Sequence, residues 1–197
     1  MILCVLFACS CSAQGITFKA LQTKLTTYPV VRGEYTQLKT LKMFKQPLHS
    51  SGHFLLSEQQ GLQWSQRQPF PVSLVLTKNK LSQQFSKQSP QIIGVKDNPL
   101  IFYFSHLFLS VFKGDLTALS EQFKMQLKGG NKNWSLLLVP KGAPLNKVFK
   151  QIKISGAKYI NQLLLTELSG DTTKITFTHQ GSKPAKLTKH EQATFKL

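Results

Sequence analysis

Five histidines (His49, His53, His106, His179 and His190) are the candidates for metal ligation or for proton transfer near neutral pH. No pair has metal-ligand spacing on one helix, and no His-Glu-x-x-His motif occurs. His106 stands inside an apolar run and reads as a core or rim histidine. All three cysteines (Cys4, Cys9 and Cys11) fall in the first eleven residues, so the rest of the chain has no thiol for a zinc site, a disulfide or nucleophilic attack. Asp and Glu number only 8, which thins out carboxylate catalysis and hard-metal sites. There is no Gly-x-Ser-x-Gly elbow, phosphate loop or dinucleotide fingerprint. Gly129-Gly130 before Asn131 reads as a hairpin turn. These residues point away from an enzyme and from any cofactor or metal, and toward binding.

Charge and aromatic content carry the stronger signals. Lys+Arg is 25 against 8 acids, a net charge of +17, and only Arg32 and Arg67 carry a guanidinium. Without arginine forks, readout of nucleic-acid bases is not expected. The lysines either solubilise the outer faces of strands or set up a positive field for anionic partners such as lipid headgroups. Fourteen phenylalanines serve either an ordinary core or an apolar groove that accepts acyl chains.

The elements that would position these side chains begin after an apolar run, Ile2–Ala8, followed by small residues to Ala13. That pattern predicts a secretory signal peptide over 1–13, cleaved after Ala13 with Cys11 at the −3 position. The run is too short to span a bilayer. No Lys or Arg precedes it, which leaves open a start upstream of Met1. The alternative is lipidation at Cys9 or Cys11. Residues 14–197 show no composition break and read as one domain.

Ile16, Phe18, Leu21 and Leu25 recur at helical spacing ahead of Pro29 and predict a helix over 16–28. Short strands follow: Tyr35–Phe44, His53–Ser57, Leu62–Trp64, Val72–Thr77 and Leu81–Phe85, with Gly, Pro and Asn turns between them. Leu100–Phe112 is apolar nearly all round and predicts a helix that must be covered. Asp115 is placed to cap a second helix reaching Gln122 or Phe123. Strands resume at Trp134–Val139, Ile152–Ile154, Tyr159–Leu165 and Lys174–Thr178. Turn signals about every ten residues suggest an antiparallel meander curled toward a barrel.

Over Val31–Leu81 the chain resembles the periplasmic lipoprotein carrier (LolA-like) family. The residues are Gly33-Glu34-Tyr35-Thr36-Gln37, Ser51-Gly52-His53-Phe54-Leu55-Leu56, Gly61-Leu62-Gln63-Trp64, Gln68-Pro69, Leu74-Val75 and Leu81. Ile175-Thr176-Phe177 and Leu187–Phe195 extend the likeness to the tail, which is more similar to LolA-like proteins of uncharacterised role than to the housekeeping carrier. The resemblance implies a mainly β (α+β) fold: an incomplete antiparallel β-barrel with helices covering the concave face. It also implies a carrier that ferries acylated lipoproteins between membranes. Membrane-bound donor and acceptor proteins would be its partners, and a monomer is expected.

On that reading Phe54, Leu56, Leu62, Trp64, Leu74, Leu76, Phe104 and Phe108 line the lipid cavity, with Leu100–Phe112 in the lid. The family carrier bonds its lid shut with an arginine; the gap-free spacing puts Glu58 there instead. A carboxylate has no donors to offer, so Glu58 is expected as a lid contact through a lysine. This departure favours a paralogue carrying another amphiphile. The alternatives are a lipidated outer-membrane acceptor of the same fold, or a basic accessory protein that docks to a membrane exporter without cargo.

Overall fold

The computed structural model describes residues 15–197. The signal-peptide reading and the lipidation reading at Cys9 or Cys11 lie outside the described residues. The elements run α1 (Phe18–Thr26), β1 (Val30–Thr40), β2 (Leu48–Ser57), β3 (Gly61–Gln68), β4 (Val72–Leu76), β5 (Lys80–Phe85), β6 (Gln91–Gly94), α2 (Pro99–Phe112), α3 (Leu116–Gln122), β7 (Phe123–Gly129), β8 (Trp134–Pro140), β9 (Phe149–Gly156), β10 (Ile160–Glu167), β11 (Thr172–Gly181) and α4 (Lys189–Thr194).

Local chemistry sets the helix boundaries. Thr17 caps α1 by accepting from the Ala20 amide at 3.2 Å. Asn98 caps α2 through the Ile101 amide at 3.1 Å, with Pro99 at the first helical position, where its missing N–H costs nothing. Asp115 caps α3 through the Ala118 amide at 3.0 Å, as the sequence predicts. Three elements went unread. The tail holds α4, whose signature is the reciprocal capping box of Thr188 and Glu191. Phe123, Met125 and Leu127 alternate along β7, immediately after α3. β6 is a four-residue edge strand with little pattern to detect.

The strands form one open antiparallel sheet in the order β6-β5-β4-β3-β2-β1-β11-β10-β9-β8-β7. It is mainly β, not closed into a barrel, with β6 and β7 at its edges. The first strand pairs with the last, Gln37 opposite Ile175 and Tyr35 opposite Phe177, so the two halves of the chain share one surface.

Because opposed residues share a face, the register defines that surface. Phe54, Trp64 and Leu74 lie in one row across β2–β4; Leu56, Leu62, Leu76 and Leu81 lie in the next. Leu136, Ile154, Leu163 and Ile175 continue it across β8–β11. α1, α2 and α3 pack on this face, with Leu21, Phe102 and Leu119 at 1% exposure or less. Gly52 sits where β2 is irregular against β3, and a Cβ there would stand 1.9 Å from the Ser65 carbonyl oxygen. The opposite face is covered by the tail: Phe195, Leu187 and Leu197 pack on Val30, Leu55 and Val75.

Candidate functional site

Between the sheet and α2 lies a cavity of about 430 Å3, within the size range of small-ligand pockets. β3, β4 and β5 supply Leu62, Trp64, Leu74, Leu76 and Leu81; β9, β10 and β11 supply Ile152, Leu163, Leu165 and Ile175. α2 closes it with Phe104, Leu107, Phe108 and Val111. Among the described residues its only polar lining is Gln37 and Ser105. No acid or base among the described residues faces it, so what this site offers a ligand is removal of apolar surface from water.

Of the residues expected to line a cavity, Leu62, Trp64, Leu74, Leu76, Phe104 and Phe108 meet here. Phe54 and Leu56 do not. They share that face and lie opposite Trp64 and Leu62, but one strand over, on β2, where they are buried in the core near Leu25 of α1 and Phe112 of α2. Phe54 packs edge-on against Phe177 at 5.3 Å, and Phe112 of α2 reaches Phe177 at 5.4 Å, filling that end. Phe123, Phe149 and Ile152 line the cavity unforeseen; the sequence placed Ile152 in a strand, but its place across the sheet emerges only from the register.

Trp64 is held from behind by Tyr35, whose ring stacks on it at 3.7 Å between centroids. Tyr35 is 1% exposed and its Oη has no hydrogen-bond partner among the described residues. Burial pushes its phenol up to about 12, with Trp64 opposing.

Glu58 lies exposed in the β2–β3 turn, its backbone amide donating to Pro29 O at 2.8 Å. It lines a small crevice with Leu25 of α1 and Phe112 and Lys113 of α2, but it makes no ion pair among the described residues. Among the described residues, a polar contact ties α2 to the sheet at His106, whose Nε2 lies 2.8 Å from the Lys78 carbonyl oxygen in the β4–β5 turn. A carbonyl only accepts, so Nε2 is the donor; the Nε2–H tautomer and the imidazolium both satisfy it.

A second cavity, about 520 Å3, opens on the outer face under the tail and is polar. Arg32 donates to both Glu191 oxygens, at 2.6 and 2.8 Å, and to the Pro184 and Lys186 carbonyls. Hydrogen bonding from Arg32 holds the Glu191 carboxyl down at about 2. Glu34 meets His179 Nδ1 at 2.8 Å and His53 Nδ1 at 3.9 Å. Among the described residues no three such side chains converge as metal ligands. This region reads as a clamp that fastens the tail.

A family model described as "outer membrane lipoprotein carrier protein LolA-like" matches residues 10–194. The chain belongs to the LolA-like family. Solved structures similar to it include a LolA superfamily protein from Nitrosomonas europaea, 7% identical, covering 89% of this chain and 96% of that one, at a TM-score of 0.48. Another is a domain described as an outer membrane lipoprotein-sorting protein from Vibrio parahaemolyticus, 11% identical, covering 93% and 98%, at 0.49. The Pseudomonas aeruginosa MucA/MucB complex is 13% identical, covering 87% and 58%, at 0.41. Comparison with curated protein sequences gives no match. Among the described residues of this LolA-like chain, no helix is long and apolar enough to cross a membrane.

Proposed function

We propose that this LolA-like protein is a periplasmic carrier that holds the acyl chain of a lipoprotein or another amphiphile and moves it toward the outer membrane. The observation that carries this reading is the cavity: ligand-sized, apolar but for Gln37 and Ser105, and roofed by a helix that is itself apolar nearly all round. Each methylene withdrawn from water into it contributes about 0.8 kcal/mol. The polar head, which the lining cannot pair, stays outside. The action is binding and release rather than catalysis, with membrane-bound donor and acceptor proteins on either side. The apolar run at residues 2–8 serves export on this reading.

The test is a fluorescent fatty-acyl probe titrated into the protein. Leu74→Glu and Phe108→Asp each place a carboxylate against the chain, and affinity is expected to fall at least about tenfold with the circular dichroism spectrum unchanged. Wild-type affinity in both folded variants would remove the cavity as the acyl site.

A further inference from the structure

Three neighbouring hairpins turn at the same end of the strands: β1–β2, β3–β4 and β10–β11, adjacent because β2 pairs with β3 and β1 with β11. Each tip presents large apolar side chains to solvent. Met43 is 82% exposed and Phe44 51% in the first, Phe70 56% in the second and Leu168 57% in the third. The first and third tips are fastened to each other, since the Lys42 backbone amide donates to the Asp171 carboxylate at 2.9 Å.

Cations surround these tips. Lys39, Lys42 and Lys45 flank Met43 and Phe44, Arg67 precedes Phe70, and Lys87 and Lys147 stand in the neighbouring β5–β6 and β8–β9 connections at the same end. The acids of these turns are Glu167 and Asp171, and Asp171 is already engaged by the Lys42 amide. Apolar tips amid lysines suit the headgroup region of a bilayer, where rings and thioethers enter the acyl boundary and long lysine stems keep their charge at the phosphates. The cavity reaches toward this end too: Gln37, Phe149 and Leu165 in its lining are among the last inward-facing residues before these connections.

We propose that these three hairpin tips and their lysines dock the protein on an anionic bilayer, with the cavity facing the membrane. The partner is a lipid surface bearing phosphate headgroups rather than a protein. This extends the carrier reading but rests on different residues, so the two can fail separately.

Vesicle co-sedimentation of the full chain tests it, with phosphatidylglycerol-rich and phosphatidylcholine vesicles as probes. Binding is expected to the former, weakening at least about tenfold as salt rises from about 0.1 to about 0.5 M. Met43→Ser/Phe44→Ser/Phe70→Ser should lower binding at least about tenfold. Lys39→Gln/Lys42→Gln/Lys45→Gln should lower it by about a hundredfold, at about fivefold per lysine. Both sets should keep wild-type acyl-probe affinity and melting temperature. Lys128→Gln/Lys132→Gln, in and beside the β7–β8 turn at the opposite end, should bind as wild type. Equal binding to both vesicle types, wild-type binding by the tip variant, or binding only to membranes that contain protein would each overturn the proposal. In every such case the probe titration still reports on the cavity independently.

Discussion

Tyr35 shows how a residue can shape the cavity without touching its contents. Its ring fixes Trp64, yet its hydroxyl is buried with no partner among the described residues. An unsatisfied buried hydroxyl costs about 1–3 kcal/mol. Tyr35→Phe keeps the stack and removes that burden, so urea unfolding should show equal or greater stability, by about 1 kcal/mol. A loss of more than about 1 kcal/mol would mean that the hydroxyl does find a partner. Alternation in the sequence put Phe54 and Leu56 on one face of their strand and Leu62 and Trp64 on one face of the next, and the resemblance turned those faces toward a cavity. Period-two spacing gives the face of a strand but not which strands the helices leave uncovered. Phe112 and α1 fill the space over β2, and no local pattern encodes that. His106 was legible as a rim histidine; its carbonyl partner in a distant turn was not.

Among elements, the lid and the tail are each held by few polar contacts. His106 on α2 reaches across to Lys78 O from an exposed position. An intramolecular hydrogen bond of this kind contributes about 1 kcal/mol, equivalent to about fivefold in an opening equilibrium. His106→Ala should therefore speed amide exchange in α2 about fivefold, and His106→Gln, which keeps an N–H donor, should restore part of the protection. Unchanged exchange in the alanine variant would show that packing alone holds the lid. The tail depends on Arg32 and Glu191. The folded-state pKa of Glu191, about 2, lies below its ordinary 4.5. The stability it lends is therefore complete above pH 4.5 and is lost as pH falls toward about 2. Glu191→Gln should melt below wild type at neutral pH, and the gap should close across that acid range. A gap independent of pH would assign the loss to packing of α4. This element was hidden in a lysine-rich tail, although Thr188-x-x-Glu191 was its visible sign.

At the scale of the molecule, the pairing of β1 with β11 makes the concave surface a product of both chain ends, closed only when the whole sheet has formed. Nine of the eleven strands and the mainly β class were legible because those strands each write their own alternation. The order that sets β3 and β9 on opposite walls of one cavity is long-range, and no local pattern in the sequence encodes it. A cavity built this way exists only in the native state, so a ligand that enters it must stabilise the entire fold by mass action. At about a hundredfold over its dissociation constant an acyl ligand contributes about 2.7 kcal/mol. For a chain of this size that corresponds to a rise in melting temperature of about 5–10 °C. Leu74→Glu, which loses the site but not the sheet, should show no rise at the same concentration. A probe whose fluorescence saturates on the wild type without moving its melting temperature would be binding outside the cavity, and the exposed hairpin tips would be the first place to look for it.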